Sequence, residues 1–216
     1  MQAILDEFPK FLAGFQTTLF LTVVSGILSL IFGTLLAALR VAPMPSLRWG
    51  ATIYVETVRN TPLTLVFVFF VFVLPTLGFI LPLGTLPAII ALTVYTSAFV
   101  CEAVRSGINS VGVGQAEAAR SIGLRTSQTL GLIVLPQALR SVIPPIINVL
   151  IALTKNTSVA AGFTVVELTS TGRRLSLVHP QDVVPLLMGV AFFYLLITIP
   201  SGLLAGWVER RMVFAR

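Results

Sequence analysis

The chain has 216 residues, 56% of them hydrophobic and only 10% charged, and 14 Lys and Arg against 8 Asp and Glu give it a formal net charge of +6. Charged residues make up about a quarter of a soluble domain, so these proportions exclude one and describe an integral membrane protein. The positive balance is explained by where the basic residues fall relative to the membrane, with no need for a nucleic acid partner.

The first apolar run, Phe11 to Leu39, exceeds the roughly 20 residues needed to cross a hydrocarbon core about 30 Å thick. Asp6 and Glu7 stand where a secretory leader carries positive charge, and the run outlasts the about 7 to 15 apolar residues of such a leader, so it reads as a retained span. Before it, Ile4, Leu5, Phe8, Phe11, Leu12 and Phe15 fall at helical spacing. That pattern fits either a short amphipathic helix on the outer surface or an extension of the span. Asn60 to Cys101 is uncharged and long enough for two spans, broken around Pro75, Gly78, Pro82, Gly84 and Pro87. Thr61 and Pro62 read as the N-cap and first helical residue of the second span.

Arg105 to Arg125 is too polar and too short to cross. Within it Ala116, Ala118, Ala119 and Ile122 support a helix of about two turns along the membrane surface, ended by Gly123 as a left-handed cap. Glu117 is expected in the first turn, where a carboxylate suits the helix dipole, and the small Ala118 and Ala119 allow another surface close. From helix physics alone this island is either a docking element or a connector resting on lipid headgroups. Thr126 to Val166 is apolar apart from Arg140 and Lys155, and Val183 to Val208 is closed by Glu209-Arg210-Arg211. The sum is an all-α membrane domain, residues 1–216, of about five spans.

Arg40, Arg48, Arg59, Arg105, Arg120, Arg125, Arg140, Arg210, Arg211 and Arg216 mark one set of span ends, and Lys10, Arg173 and Arg174 the other. The positive-inside rule makes the first set cytoplasmic, with the N-terminus outside and the C-terminus inside, as an odd number of spans requires.

No glycine-rich phosphate loop ending in Lys is present, since the only lysines are Lys10 and Lys155, so the chain is not expected to bind and split ATP. With a single histidine, His179 beside Pro180, a metal cluster or histidine triad is not expected, and His179 reads as a loop residue. The single cysteine, Cys101, excludes an internal disulfide and reads as packing.

Glu56 and Arg59, like Glu102 and Arg105, stand three residues apart near the same ends of their spans. Either the pairs form within each helix, for a few tenths of a kcal/mol, or acid and base pair between spans as a cytoplasmic gate. Lys155 lies roughly 22 Å along a helix from Arg140, still within the core. Either its stem snorkels to the outer headgroups, or it lines a pathway with its polar neighbours Asn156, Thr157 and Ser158, which are costly against lipid. Pro144 and Pro145 are expected to loosen this helix near its cytoplasmic start.

Glu117-Ala118-Ala119, three residues, Gly123, nine residues and then Ile133-Val134-Leu135-Pro136 resembles in full the cytoplasmic loop motif of ATP-binding-cassette importer permeases. Glu56, Arg59, Thr61-Pro62-Leu63, Tyr95, Glu102, Arg105, Gly107-Ile108, Gly114-Gln115, Pro136 to Arg140, Pro144, Asn148, Lys155, Thr157-Ser158 and Glu167-Leu168 extend the similarity. They narrow it to the polar amino acid branch, the histidine/glutamine/glutamate/arginine type. The chain departs from that pattern at Gly112, where proline is commoner, and at Asn60 and Ser106, where glycine is commoner.

The resemblance implies a type I importer fold in a bacterial plasma membrane and a dimer with an identical or related permease chain. It implies a pair of ATPase subunits that hold Mg-ATP, since no cofactor is expected here, and an extracytoplasmic binding protein. Residues 112–126 become the coupling loop, in which Gln115, Glu117, Ala118, Ala119, Gly123 and Leu124 face the ATPase, Glu117 against a basic residue and Gly123 allowing the turn into its groove. The pathway is expected at Asn148, Lys155, Asn156, Thr157 and Ser158. Many relatives carry aspartate where this chain has Asn156, which leaves Lys155 locally positive. Glutamate or glutamine is therefore expected sooner than arginine or histidine. The remaining readings are a self-sufficient secondary transporter, whose larger inverted repeats are not visible, a membrane enzyme, for which no catalytic set is present, and a pure scaffold, which leaves Lys155 to Ser158 unexplained.

Overall fold

The computed structural model of the chain describes residues 2–212; Met1 and residues 213–216, including the Arg216 assigned above to the cytoplasmic ends, lie outside the described residues. The helices in chain order are α1 (Gln2–Asp6), α2 (Phe8–Leu39), α3 (Pro45–Arg59), α4 (Leu63–Thr76), α5 (Thr85–Asn109), α6 (Val113–Ser121), α7 (Thr126–Gly162), α8 (Leu168–Val178) and α9 (Val183–Met212). Four of them, α2, α5, α7 and α9, are long and apolar enough to cross a membrane, and α3 with α4 forms a fifth, broken candidate bent by 108°.

Pro9 sits in the first turn of α2, where its missing N–H costs nothing, and Glu7 alone separates α2 from α1. The leading segment leans on the last span: Ile4 and the fully buried Phe11 pack with Leu186, Val190 and Phe193 of α9, while Leu5, Phe8 and Leu12 stay exposed. On α4 the sequence expectation is one residue early. Pro62 occupies the N-cap position, and the Thr61 hydroxyl instead donates back to the Thr57 carbonyl at 2.8 Å, which makes Thr61 the tail of α3.

The centre of the bundle is α5, flanked by α2, α3, α4 and α7. Leu92 of α5 meets Leu21, Phe67 and Leu153 from three neighbours, all fully buried. Lipid tails are as apolar as these side chains, so close approach of backbones contributes much of the holding force. Gly33 of α2 shows how close: a Cβ there would lie 2.5 Å from the Val100 Cβ and 2.7 Å from the Ser97 carbonyl oxygen of α5.

α7 runs unbroken through Pro144 and Pro145, which as prolines donate no backbone hydrogen bond there. Its departures from α geometry flank the prolines, in a π-helical stretch, Thr129–Val134, and a 3-10 turn, Thr157–Gly162. The turn ends before Glu167, a fully buried carboxylate that caps α8 by accepting from the Thr169 and Ser170 amides at 2.9 and 2.7 Å. The Tyr194 hydroxyl of α9 also donates to Glu167 at 2.9 Å, which ties α8 to the last span.

Candidate functional site

The polar loop between α5 and α7 is built around α6. Gly123 adopts φ +90°. Its amide donates to the Arg120 carbonyl at 3.0 Å, and the Leu124 amide reaches the Ala119 carbonyl at 3.1 Å, the paired bonds of a Schellman cap. The following turn is fastened by the Arg125 amide donating to the Gln128 side chain at 2.9 Å. Glu117 is the fifth residue of α6 and not in its first turn, because the helix begins earlier, at Val113, so the dipole argument does not apply. Ala119 alone on α6 is buried, and Leu124 is half-buried. Gln115, Glu117, Ala118 and Gly123 are exposed, flanked by the apolar Val113 and Ile122 at 71% and 79% exposure. A carboxylate and small residues between two bare aliphatic side chains make a surface suited to insertion in a groove.

The loop leaves α5 and enters α7 through one tight crossing. A Cβ on Gly107 would lie 2.2 Å from Val142 Cγ2 and 2.9 Å from both its Cα and its backbone nitrogen.

At the same end of the bundle the expected ion pairs reorganise into a network. Arg40, the C-cap residue of α2, donates through Nη1 to Glu102 and, at 3.5 Å, through Nη2 to Glu56. Arg59 approaches the other Glu102 oxygen at 3.8 Å, and Arg105 lies 3.3 Å from Glu102. Within-helix pairing thus holds for Glu102 and Arg105, whereas Glu56 and Arg59 each reach across to another helix. Arg40, its side chain only 8% exposed, is the group that helical spacing could not reveal. Its partners lie 16 and 62 residues away in sequence.

Above the network, the Arg59 guanidinium lies 5.8 Å from the centroid of the Phe99 ring, which in turn packs on Tyr95 at 4.9 Å. Tyr95, Thr96 and Phe99 line one wall of a 260 Å³ cleft, and Val149, Ala152 and Asn156 of α7 line the other. The Thr96 hydroxyl is buried and without a hydrogen-bond partner among the described residues. Lys155 is exposed next to the cleft, and Asn148 is exposed two turns away along α7. The other two polar neighbours are spent locally: buried Thr157 donates to the Thr154 carbonyl and Ser158 to the Lys155 carbonyl, each at 2.7 Å. Thr157 therefore does not line the cleft, while Thr96, which the sequence did not single out, does.

Comparison with known proteins gives this geometry its context. The family described as "Binding-protein-dependent transport system inner membrane component" matches residues 14–214. The glutamate transport system permease protein GluC of Corynebacterium efficiens is 42% identical over 218 residues, covering 96% of each chain. The probable glutamine ABC transporter permease protein GlnM of Bacillus subtilis is 40% identical over 220 residues, covering 97% of this chain and 96% of that one. An amino acid ABC transporter solved with histidines superposes at a TM-score of 0.91 and 26% identity over 97% of both chains. The inward-facing MetNI methionine transporter shares the fold, with a TM-score of 0.78 at 19% identity over 97% of this chain and 99% of that one. With the family pattern running through all but the two ends of the chain, this protein belongs to the binding-protein-dependent transport system inner membrane components, the permease subunits of ABC transporters, in which a separate subunit hydrolyses ATP.

Proposed function

We propose that this permease imports a polar amino acid, glutamate or glutamine, across a bacterial inner membrane. Two permease chains, identical or related, enclose the pathway, an extracytoplasmic binding protein delivers the substrate, and two ATPases holding Mg-ATP drive alternating access. In this reading the N-terminus is outside, and residues 112–126 are the coupling loop on the cytoplasmic side, the side on which Arg40, Arg59 and Arg105 gather at Glu102. Glu117 and the bare Val113 and Ile122 meet the ATPase, and the Gly107 crossing carries the motion into α5 and α7. The Arg40, Glu56, Arg59, Glu102 and Arg105 network, with Phe99 above it, then acts as the cytoplasmic gate.

The observation that carries the choice of substrate is the cleft beside Lys155. Its polar groups are Asn156, the Tyr95 hydroxyl and the unpartnered Thr96 hydroxyl, and two cations stand beside it: Lys155, next to Asn156 in sequence and without an ion pair among the described residues, and Arg59 over the Phe99 ring. A carboxylate suits that surrounding better than a further cation. The relatives named for glutamate and glutamine point the same way. The transporter solved with histidines favours the second reading, a basic amino acid. Competition uptake with the assembled transporter in proteoliposomes separates them. Glutamate or glutamine should compete best, and Asn156→Asp should shift preference toward arginine. A clear wild-type preference for arginine, lost on Asn156→Ala, would sink the acidic-or-neutral assignment.

A further inference from the structure

On the flank of the bundle away from the cleft, α2 and α5 part to leave a groove of 440 Å³. Leu28, Phe32 and Leu36 stand one turn apart on α2, Ile90 and Val94 line the groove from α5, and Tyr54 of α3 adds to the lining. The wall is almost wholly hydrocarbon, because the Tyr54 and Ser97 hydroxyls both turn to the Val94 carbonyl at 2.9 Å and the Thr93 hydroxyl is buried. One turn beyond Leu36, at the C-cap of α2, comes Arg40, where a second cleft of 280 Å³ opens, lined by Arg40, Arg48, Trp49 and Thr52. Arg48 and Thr52 are four residues apart and so share a face of α3, beside Trp49 at 67% exposure. Arg40 is engaged by Glu56 and Glu102, but Arg48 has no ion pair among the described residues.

From Leu28 in the first cleft to Arg40 in the second, the lining residues span about 18 Å along the direction of α2, close to the length of one extended acyl chain. An apolar slot ending in a free guanidinium, a hydroxyl and an interfacial tryptophan has the order of a phospholipid: tail, glycerol level, charged headgroup. We infer that this flank is a binding site for a single anionic phospholipid, its phosphate on Arg48 and Thr52 and one chain along Leu36, Phe32 and Leu28. Charge selects the headgroup. A zwitterionic lipid fills the same slot but brings an ammonium group toward Arg48 and Arg40. A lipid so placed ties the end of α2 to α3 beside the Arg40 network, so occupancy bears on how firmly that corner is held.

The test uses the full chain, purified and delipidated in mild detergent, then titrated with phosphatidylglycerol or phosphatidylcholine of matched chains and read by native mass spectrometry. It needs neither substrate nor ATPase, so its outcome is independent of the transport reading. One phosphatidylglycerol should be retained per chain in preference to phosphatidylcholine. Arg48→Ala should cut that preference about fivefold, the worth of one basic contact at the membrane surface. Arg210→Ala, at the same end of the bundle, should leave it unchanged, and Ile90→Trp, which fills the slot, should lower retention of both lipids. Equal retention of the two lipids, or an Arg48→Ala effect no larger than that of Arg210→Ala, overturns the proposal. So does a disulfide from Phe32→Cys to a second copy, which would show the groove covered by protein.

Discussion

Replacing Gly107 by Ala tests the joint between the polar loop and the spans. The added Cβ meets Val142 at 2.2 Å through Cγ2 and at 2.9 Å through Cα and the backbone nitrogen. A rotamer change relieves the first contact, but the other two require α5 and α7 to move apart. Overpacking of this kind costs about 1–3 kcal/mol, which for a chain of this size lowers the melting temperature on the order of 5 °C. Cys101, the single cysteine and fully buried on α5, supplies the readout, since a fluorogenic thiol reagent labels it only as the bundle opens. Gly206→Ala, whose added Cβ meets nothing within 4 Å, is the control and should melt like wild type or slightly higher. Adding Val142→Ala to Gly107→Ala should restore only part of the loss, because the backbone contacts persist. A Gly107→Ala protein that melts with the Gly206→Ala control would refute the tight crossing.

Glu102→Gln, which strips the buried Arg40 guanidinium of its nearest carboxylate, should cost about 2–3 kcal/mol in the same melting assay. Glu56→Gln, at an exposed 3.5 Å contact, should cost under about 1 kcal/mol, and equal losses would contradict the hierarchy of the network. At the opposite end of the bundle, Lys10, bonded to Glu7 at 2.7 Å, and then His179, at 3.1 Å, hold the Glu7 carboxyl below its ordinary value of 4.5. A depressed carboxylate contributes stability that is complete above about 4.5 and is lost as pH falls through the lower folded value. Melting of the wild type should therefore fall on acidification below that pH more steeply than melting of Glu7→Gln, and parallel profiles would remove Glu7 from the account.

Periodicity and charge placement made the spans legible, because a membrane demands long uncharged runs whatever the packing. The break between α3 and α4 was not, since Thr61-Pro62 satisfies the cap pattern one residue before the actual start and α3 is too short and mixed to stand out as half a span. Gly123 was readable because a left-handed cap admits little else, whereas Glu117 was misplaced by a turn because nothing in the Val111 to Gly114 segment announces the helix start. The ion pairs were visible as residues but not as partners, for Arg40 meets its carboxylates only after three helices converge. Thr96 carries no signal in an apolar run. Only its burial without a partner, facing the cleft, sets it apart from Thr154, whose hydroxyl returns to its own helix at Leu150.

The most direct measurement of the central claim is the number of substrate molecules taken up per ATP hydrolysed by the assembled transporter in proteoliposomes. Glu117→Lys reverses the charge on an exposed residue of α6, and Gly123→Val places a branched side chain at φ +90°, where the turn leaves the helix. Both variants should insert and assemble, yet the ratio should fall about tenfold or more while ATP is still hydrolysed. A wild-type ratio in both variants, or uptake by vesicles containing this chain alone, would contradict the assignment of α6 as the element through which the ATPase moves the permease.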